Sequence, residues 1–133
     1  MVCVLAYRAV YQSIDDGVAL AALGEAAGWP DPAPADGSVV VLGARRDNTF
    51  NGYTEWYGFR APAELIDRVR GPIERGRGRR TDGWAGLGGR PGWFGPANPD
   101  AADLFVIEHG GQYQYHFAFS RTEGLIYLLR RSM

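Results

Sequence analysis

The chain has no lysine; all fourteen basic residues are arginine. A phosphate loop of the form Gly-x-x-x-x-Gly-Lys-Ser/Thr is therefore excluded. Cys3 is the single cysteine, so no intrachain disulfide can form, and a cysteine-based metal site would need other ligands. Its neighbours Val2, Val4 and Leu5 read as a buried strand, where a free thiol acts as a small apolar group. Only two histidines occur, His109 and His116, with no His-x-His, Glu-x-x-His or Cys-x-x-Cys spacing. A zinc centre draws on three or four ligands, so neither a metal nor a cofactor is expected. The four serines, Ser13, Ser38, Ser120 and Ser132, fall outside any Gly-x-Ser-x-Gly elbow. Gly86-Leu-Gly88-Gly89-Arg90-Pro91 lacks the third glycine of a dinucleotide fingerprint. No catalytic residue is assigned. No segment approaches the ~20 apolar residues of a membrane span, and no basic leader precedes the short run Val2–Tyr7. The expected location is the cytoplasm. A net charge of −1 offers no global attraction to nucleic acid or to an anionic membrane.

What is present is enough for one domain, 1–133: 46% of the 133 residues are hydrophobic and 13% aromatic. Val2–Tyr11 reads as a strand. Ser13-Ile-Asp-Asp16 reads as a helix start, with Ser13 as the cap and a helix from about Asp15 to Ala27. Its stripe is Val18, Ala22, Leu23 and Ala26, and Gly28 stops it. Ser38–Ala44 is an unbroken apolar strand, expected at the centre of a sheet with both faces covered. Tyr53–Phe59 is a third strand, with Tyr53, Glu55, Tyr57 and Phe59 on one face and Thr54, Trp56 and Gly58 on the other. Ala61-Pro62 opens a second helix. Leu65, Ile66 and Val69 are its stripe, Glu64 is placed to pair with Arg68, and Gly71-Pro72 is its stop. Residues 71–100 hold nine glycines and four prolines and read as a long Gly/Pro/Arg-rich loop within the domain.

The C-terminal third is a meander. Asp103–His109, a Gly110-Gly111 turn and Gln112–Phe119 form a hairpin. That register sets Glu108 against Tyr113, Val106 against Tyr115 and Leu104 against Phe117. It predicts a core of Leu104, Val106, Tyr115 and Phe117 under a helix. Ser120–Gly124 is a second turn, with Gly124 left-handed, and Leu125–Leu129 completes the meander. The fold class is α+β: a largely antiparallel sheet of about six strands, two helices on one face and the long Gly/Arg-rich loop.

Tyr53-Thr-Glu-Trp-Tyr-Gly-Phe-Arg-Ala-Pro-Ala-Glu-Leu-Ile66 resembles an element of small uncharacterised bacterial α+β proteins. In these an aromatic strand ends in a Phe-x-Ala-Pro corner and an acidic helix begins there. The likeness extends to Trp93-Phe94-Gly95-Pro96 and to the turn Ser120–Gly124, so that it spans roughly residues 47–130. The chain departs where Ser-Arg replaces Asp-Pro in that turn, and again over residues 75–90. The resemblance implies a fold and transfers no activity.

Three features remain as candidate sites. Glu55, an acid among aromatics, is expected at solvent or against an arginine; a raised pKa would suit an acid role. Residues 68–80 carry six Arg and one Glu, +5 against a net −1, so the rest carries −6. Within them Arg75, Arg77, Arg79 and Arg80 alternate with glycine, a pattern able to fork onto phosphates and stack on bases. Trp56, Trp84, Trp93, Phe94 and Tyr113 exceed what the core needs and are of the types that anchor protein interfaces. The leading expectation is a non-enzymatic module, of inhibitor or immunity-protein type, that captures a protein partner through aromatic and Arg residues. Nucleic-acid or anion binding through Arg75–Arg80 is the alternative, and an unrecognised enzyme a further one.

Overall fold

Runs of aromatic and β-branched residues spaced by turn residues fold here as a sheet, and two helical segments pack across it. The computed structural model describes residues 11–49, 52–80, 91–95, 103–109 and 113–132. The elements, in chain order, begin with strand β1 (Tyr11–Ser13), helix α1 (Asp16–Ala27), β2 (Val40–Thr49) and β3 (Gly52–Arg60). Helix α2 (Ala63–Pro72) follows and widens into a π turn at Ile73–Arg77. Then come β4 (Arg79–Arg80), β5 (Asp103–His109), β6 (Tyr113–Ser120) and β7 (Leu125–Ser132). The seven strands stand in the order β1-β2-β3-β7-β6-β5-β4, and every neighbouring pair is antiparallel. The fold is α+β, as its sequence pattern predicts. No helix among the described residues is long and apolar enough to cross a membrane.

Both helices cover one face. Ala19, Leu23 and Ala26 of α1 and Leu65, Ile66 and Val69 of α2 bury against Tyr57, Phe59, Phe105, Ile107, Phe117 and Leu128. The cap of α1 is Asp15, whose carboxylate accepts from the Gly17 amide at 3.0 Å. Ser13 is unavailable for that role because it pairs with Arg45 in the sheet. Val18 is 50% exposed, off the expected stripe, because the helix rolls Ala19 and Leu20 inward instead. Gly28 ends α1 at φ 78°, a left-handed position that glycine adopts without a Cβ clash.

Four further expectations are corrected. Gly71-Pro72 does end α2 as an α-helix, but the chain continues for one wider turn because Ile73, wholly buried, anchors it to the core. That turn and β4 occupy residues 73–80, so the expected loop does not begin at 71; residues 81–90 and 96–100 lie outside the described residues. Arg68 lies over the Trp29 ring at 5.0 Å instead of pairing with Glu64. Strand β2 runs on to Thr49 and is not covered on both faces, since Val40 is 46% and Leu42 38% exposed. Finally, the β5–β6 register differs by one residue. Leu104 faces Ala118, Phe105 faces Phe117, and Ile107 faces Tyr115. A one-residue slip exchanges the faces of a strand, so Phe105 and Ile107, not Leu104 and Val106, meet the helices.

Leu104 belongs to a second, smaller core on the opposite face, with Trp56, Phe94, Ala118, Tyr127 and Leu129. The segment 91–95 lays Trp93 and Phe94 over it. Phe94 meets Trp56 edge-on at 4.9 Å and Tyr127 at 5.5 Å. Gly43 and Gly58 are cross-strand partners, and the Trp93 ring sits on both. A Cβ on Gly43 would stand 2.6 Å from that ring, so the close approach requires glycine.

Candidate functional site

Strand register sets Arg46, Glu55, Arg130 and Tyr115 in a row across β2, β3, β7 and β6, on the helix-covered face. Glu55 is 1% exposed, and its carboxylate is gripped from both sides. Arg46 donates to Oε2 at 2.8 Å through Nη2 and at 3.2 Å through Nε. Arg130 donates to Oε1 and also reaches the exposed Glu25 at 3.4 Å. A buried carboxylate is tolerated only when paired in this way. Of the two expected surroundings for Glu55, solvent or an arginine, the structure supplies two arginines.

Tyrosines ring this ladder. Arg46 stacks over Tyr53 at 4.4 Å and Arg130 over Tyr113 at 5.1 Å. The Tyr53 and Tyr113 hydroxyls share a hydrogen bond of 3.1 Å. The Tyr57 hydroxyl is buried and makes no hydrogen bond among the described residues. Burial, then the nearby Glu55 carboxylate, raises its pKa far above the ordinary phenol range. Burial also raises Tyr115. At Arg130 burial alone would lower the pKa, but the Glu55 charge outweighs it and the value rises. The ladder is saturated: both Glu55 oxygens are engaged and Tyr57 keeps its proton at neutral pH. Its chemistry is that of a cross-strand staple.

The expected partner-binding residues divide. Trp56 is buried, its indole Nε1 donating to Asp47 Oδ2 at 3.0 Å, and Phe94 is buried beside it. Tyr113 is half-buried beside Tyr53. Trp93 keeps part of its ring at the surface. Trp84 lies outside the described residues. Of the four expected arginines, side chains are described for Arg75 and Arg80. Arg75 is exposed beside Gly71, while Arg80, exposed in β4, lies 5.4 Å from the Phe105 ring. Arg77 falls in the π turn, and Arg79 pairs with Val106 along the β4 backbone.

Sequence reasoning missed Arg46, Arg130 and Asp47. Asp47 takes both Arg45, at 2.7 and 2.9 Å, and the Trp56 indole. The available signal was the alternation Arg45-Arg46-Asp47 in a strand, which sends Arg45 and Asp47 to one face and Arg46 to the other. Among the described residues no three His, Cys, Asp or Glu side chains gather as a metal would require.

Fold and site together define an antiparallel α+β protein whose sheet carries a core on each face and a polar ladder at one end. Comparison with known protein families, curated proteins and solved structures found no match.

Proposed function

We propose that this protein is a non-enzymatic binding module for another polypeptide, of the inhibitor or immunity-protein kind, and that the start of β2 is its contact surface. The observation carrying this reading is the exposure of Val40 and Leu42, at 46% and 38%, on a strand whose register with β3 shifts at Leu42. Val40 shares the second face with Trp93, whose ring is partly exposed over Gly43 and Gly58. Arg60, exposed, stands directly opposite Val40 on β3. A partly exposed Trp beside aliphatic side chains with an Arg at the rim has the composition of an interface hot spot. The analogy to inhibitors and immunity proteins rests on size and on this surface alone.

The test is co-purification from the source cells with wild-type protein and with the double variant Val40→Asp/Leu42→Asp. Both sites are exposed, so the variant should melt within about 4 °C of wild type. A partner held by wild type and weakened at least about tenfold by the variant supports the reading. A partner held equally by both removes this surface from the interface.

A further inference from the structure

The two edges of the sheet are built differently. At one edge stands β4, two arginines long. Charge and brevity are the usual means of blocking an edge from pairing with another chain. At the other edge β1 covers β2 only at Arg45, Arg46 and Asp47. One further bond runs from the Ile14 amide to the Ala44 carbonyl at 3.2 Å, after which the chain turns into α1. Val40, Val41 and Gly43 therefore pair with β3 on one side, around a register shift at Leu42, and among the described residues have no strand on the other. None of the four carries a charge. The edge they form is about 13 Å long at the usual rise per strand residue.

A groove of about 410 Å³ lies beside this edge, lined by Leu20, Val39, Val40 and Val41 with Asp16 and Gly17. Val39 and Val41 face the helices, and Val40 faces the other way. An added strand would thus meet apolar side chains on both of its faces. The charge at the groove is of one sign. Asp16 lines it, and the exposed Asp15 and Asp36 adjoin its lining residues, while no arginine lines it.

We infer that the Val40–Gly43 edge of β2 accepts an extended, basic segment of a partner protein as an additional antiparallel or parallel strand, with apolar side chains in the groove and a Lys or Arg against Asp16. The inference rests on the protein-binding reading above and names the partner's chemistry. Strand addition supplies affinity through main-chain hydrogen bonds and selectivity through alternate side chains. A second copy of this chain is the poorer occupant, because pairing two β2 edges would bring both sets of Asp15, Asp16 and Asp36 along one short edge.

The probe is a fluorescein-labelled heptapeptide, Lys-Thr-Val-Val-Val-Thr-Lys, in which Lys and Val share one face of the extended strand, read by anisotropy against the intact protein. Two companions are the same peptide N-methylated at every backbone nitrogen, and one with Glu in place of Lys. The expected result is saturable binding of the parent, with at least about tenfold loss on N-methylation, which removes the backbone donors. The Glu peptide should bind several-fold more weakly, and Asp16→Asn should narrow that gap while Asp15 still caps α1. No saturable binding of the parent below about 1 mM overturns the inference. So does equal binding of the methylated peptide, which would mean apolar adhesion without strand pairing. A wild-type dimer in sedimentation equilibrium that Val40→Asp dissolves would assign the edge to a second copy and overturn it as well. If the peptide fails while a partner sensitive to Val40→Asp/Leu42→Asp is still captured, strand addition falls and the protein-binding reading stands.

Discussion

Tyr57 carries a buried hydroxyl that forms no hydrogen bond among the described residues, beside a carboxylate whose two oxygens already belong to Arg46 and Arg130. Such a hydroxyl costs about 1–3 kcal/mol of desolvation, which a Glu55 carboxylate already engaged by two arginines offsets poorly. Tyr57→Phe is therefore expected to be neutral or to stabilise by about 1 kcal/mol in urea unfolding. The pH dependence follows from the raised pKa. In the unfolded chain the phenol ionises near pH ~10, whereas burial and Glu55 hold it protonated to higher pH in the folded state. The stability linked to this proton is fully present below pH ~10 and is lost as pH rises through the folded value. Tyr57→Phe should flatten the alkaline decline without abolishing it, because the Tyr115 pKa is raised as well. An alkaline profile unchanged by the substitution would remove Tyr57 from that role.

At the scale of elements, the boundaries that were legible are those where one residue type answers a local need. Gly28 is left-handed at the end of α1, and Gly124 is left-handed in the β6–β7 turn, at φ 70°. Gly71-Pro72 closes α2, but the loop expected from residue 71 loses to the burial of Ile73, which holds a wider turn there. The contact between segment 91–95 and the sheet is likewise not local. It depends on Gly43 and Gly58 standing opposite each other under Trp93. Gly43→Ala should cost about 1–3 kcal/mol by overpacking the ring. In a Trp93→Ala background the same change should be neutral or gain about 0.4–1 kcal/mol, since it then only restricts the unfolded chain. A double-mutant cycle in urea measures the coupling. Equal costs in both backgrounds would show that Trp93 does not sit on Gly43 in solution.

For the molecule as a whole, the seam lies between β3 and β7, which joins an N-terminal set of three strands to a C-terminal set of four. Glu55 stands on one side of that seam and Arg130 on the other, 75 residues apart in the chain. Arg46 extends the ladder onto β2. Glu55→Gln leaves two guanidinium groups facing a neutral amide, one of them on Arg130, whose side chain is only 13% exposed. Breaking a buried pair from one side costs about 3–5 kcal/mol. Chemical denaturation should show a loss of that size; a loss below about 1 kcal/mol would place the pair in the class of surface ion pairs.

The sequence by itself determined the kinds of element and their antiparallel, helix-on-sheet class. Those follow from side-chain periods of two and 3.6 and from turn residues acting on near neighbours. It also marked Glu55 as an acid bound for solvent or an arginine, because a carboxylate on the same strand face as Tyr57 and Phe59 must find a cation or water. Only the tertiary structure decided which arginines answer it, since Arg46 and Arg130 reach Glu55 through strand pairings far apart in the chain. It decided the β5–β6 register too. The alternation in β5 serves either face equally well, and the burial of Phe105 and Ile107 under the helices selects one of them. That no described strand flanks Val40–Gly43 on the β1 side was equally out of reach. An unbroken apolar run looks the same at the centre of a sheet and at its margin, and only the short reach of β1 distinguishes them.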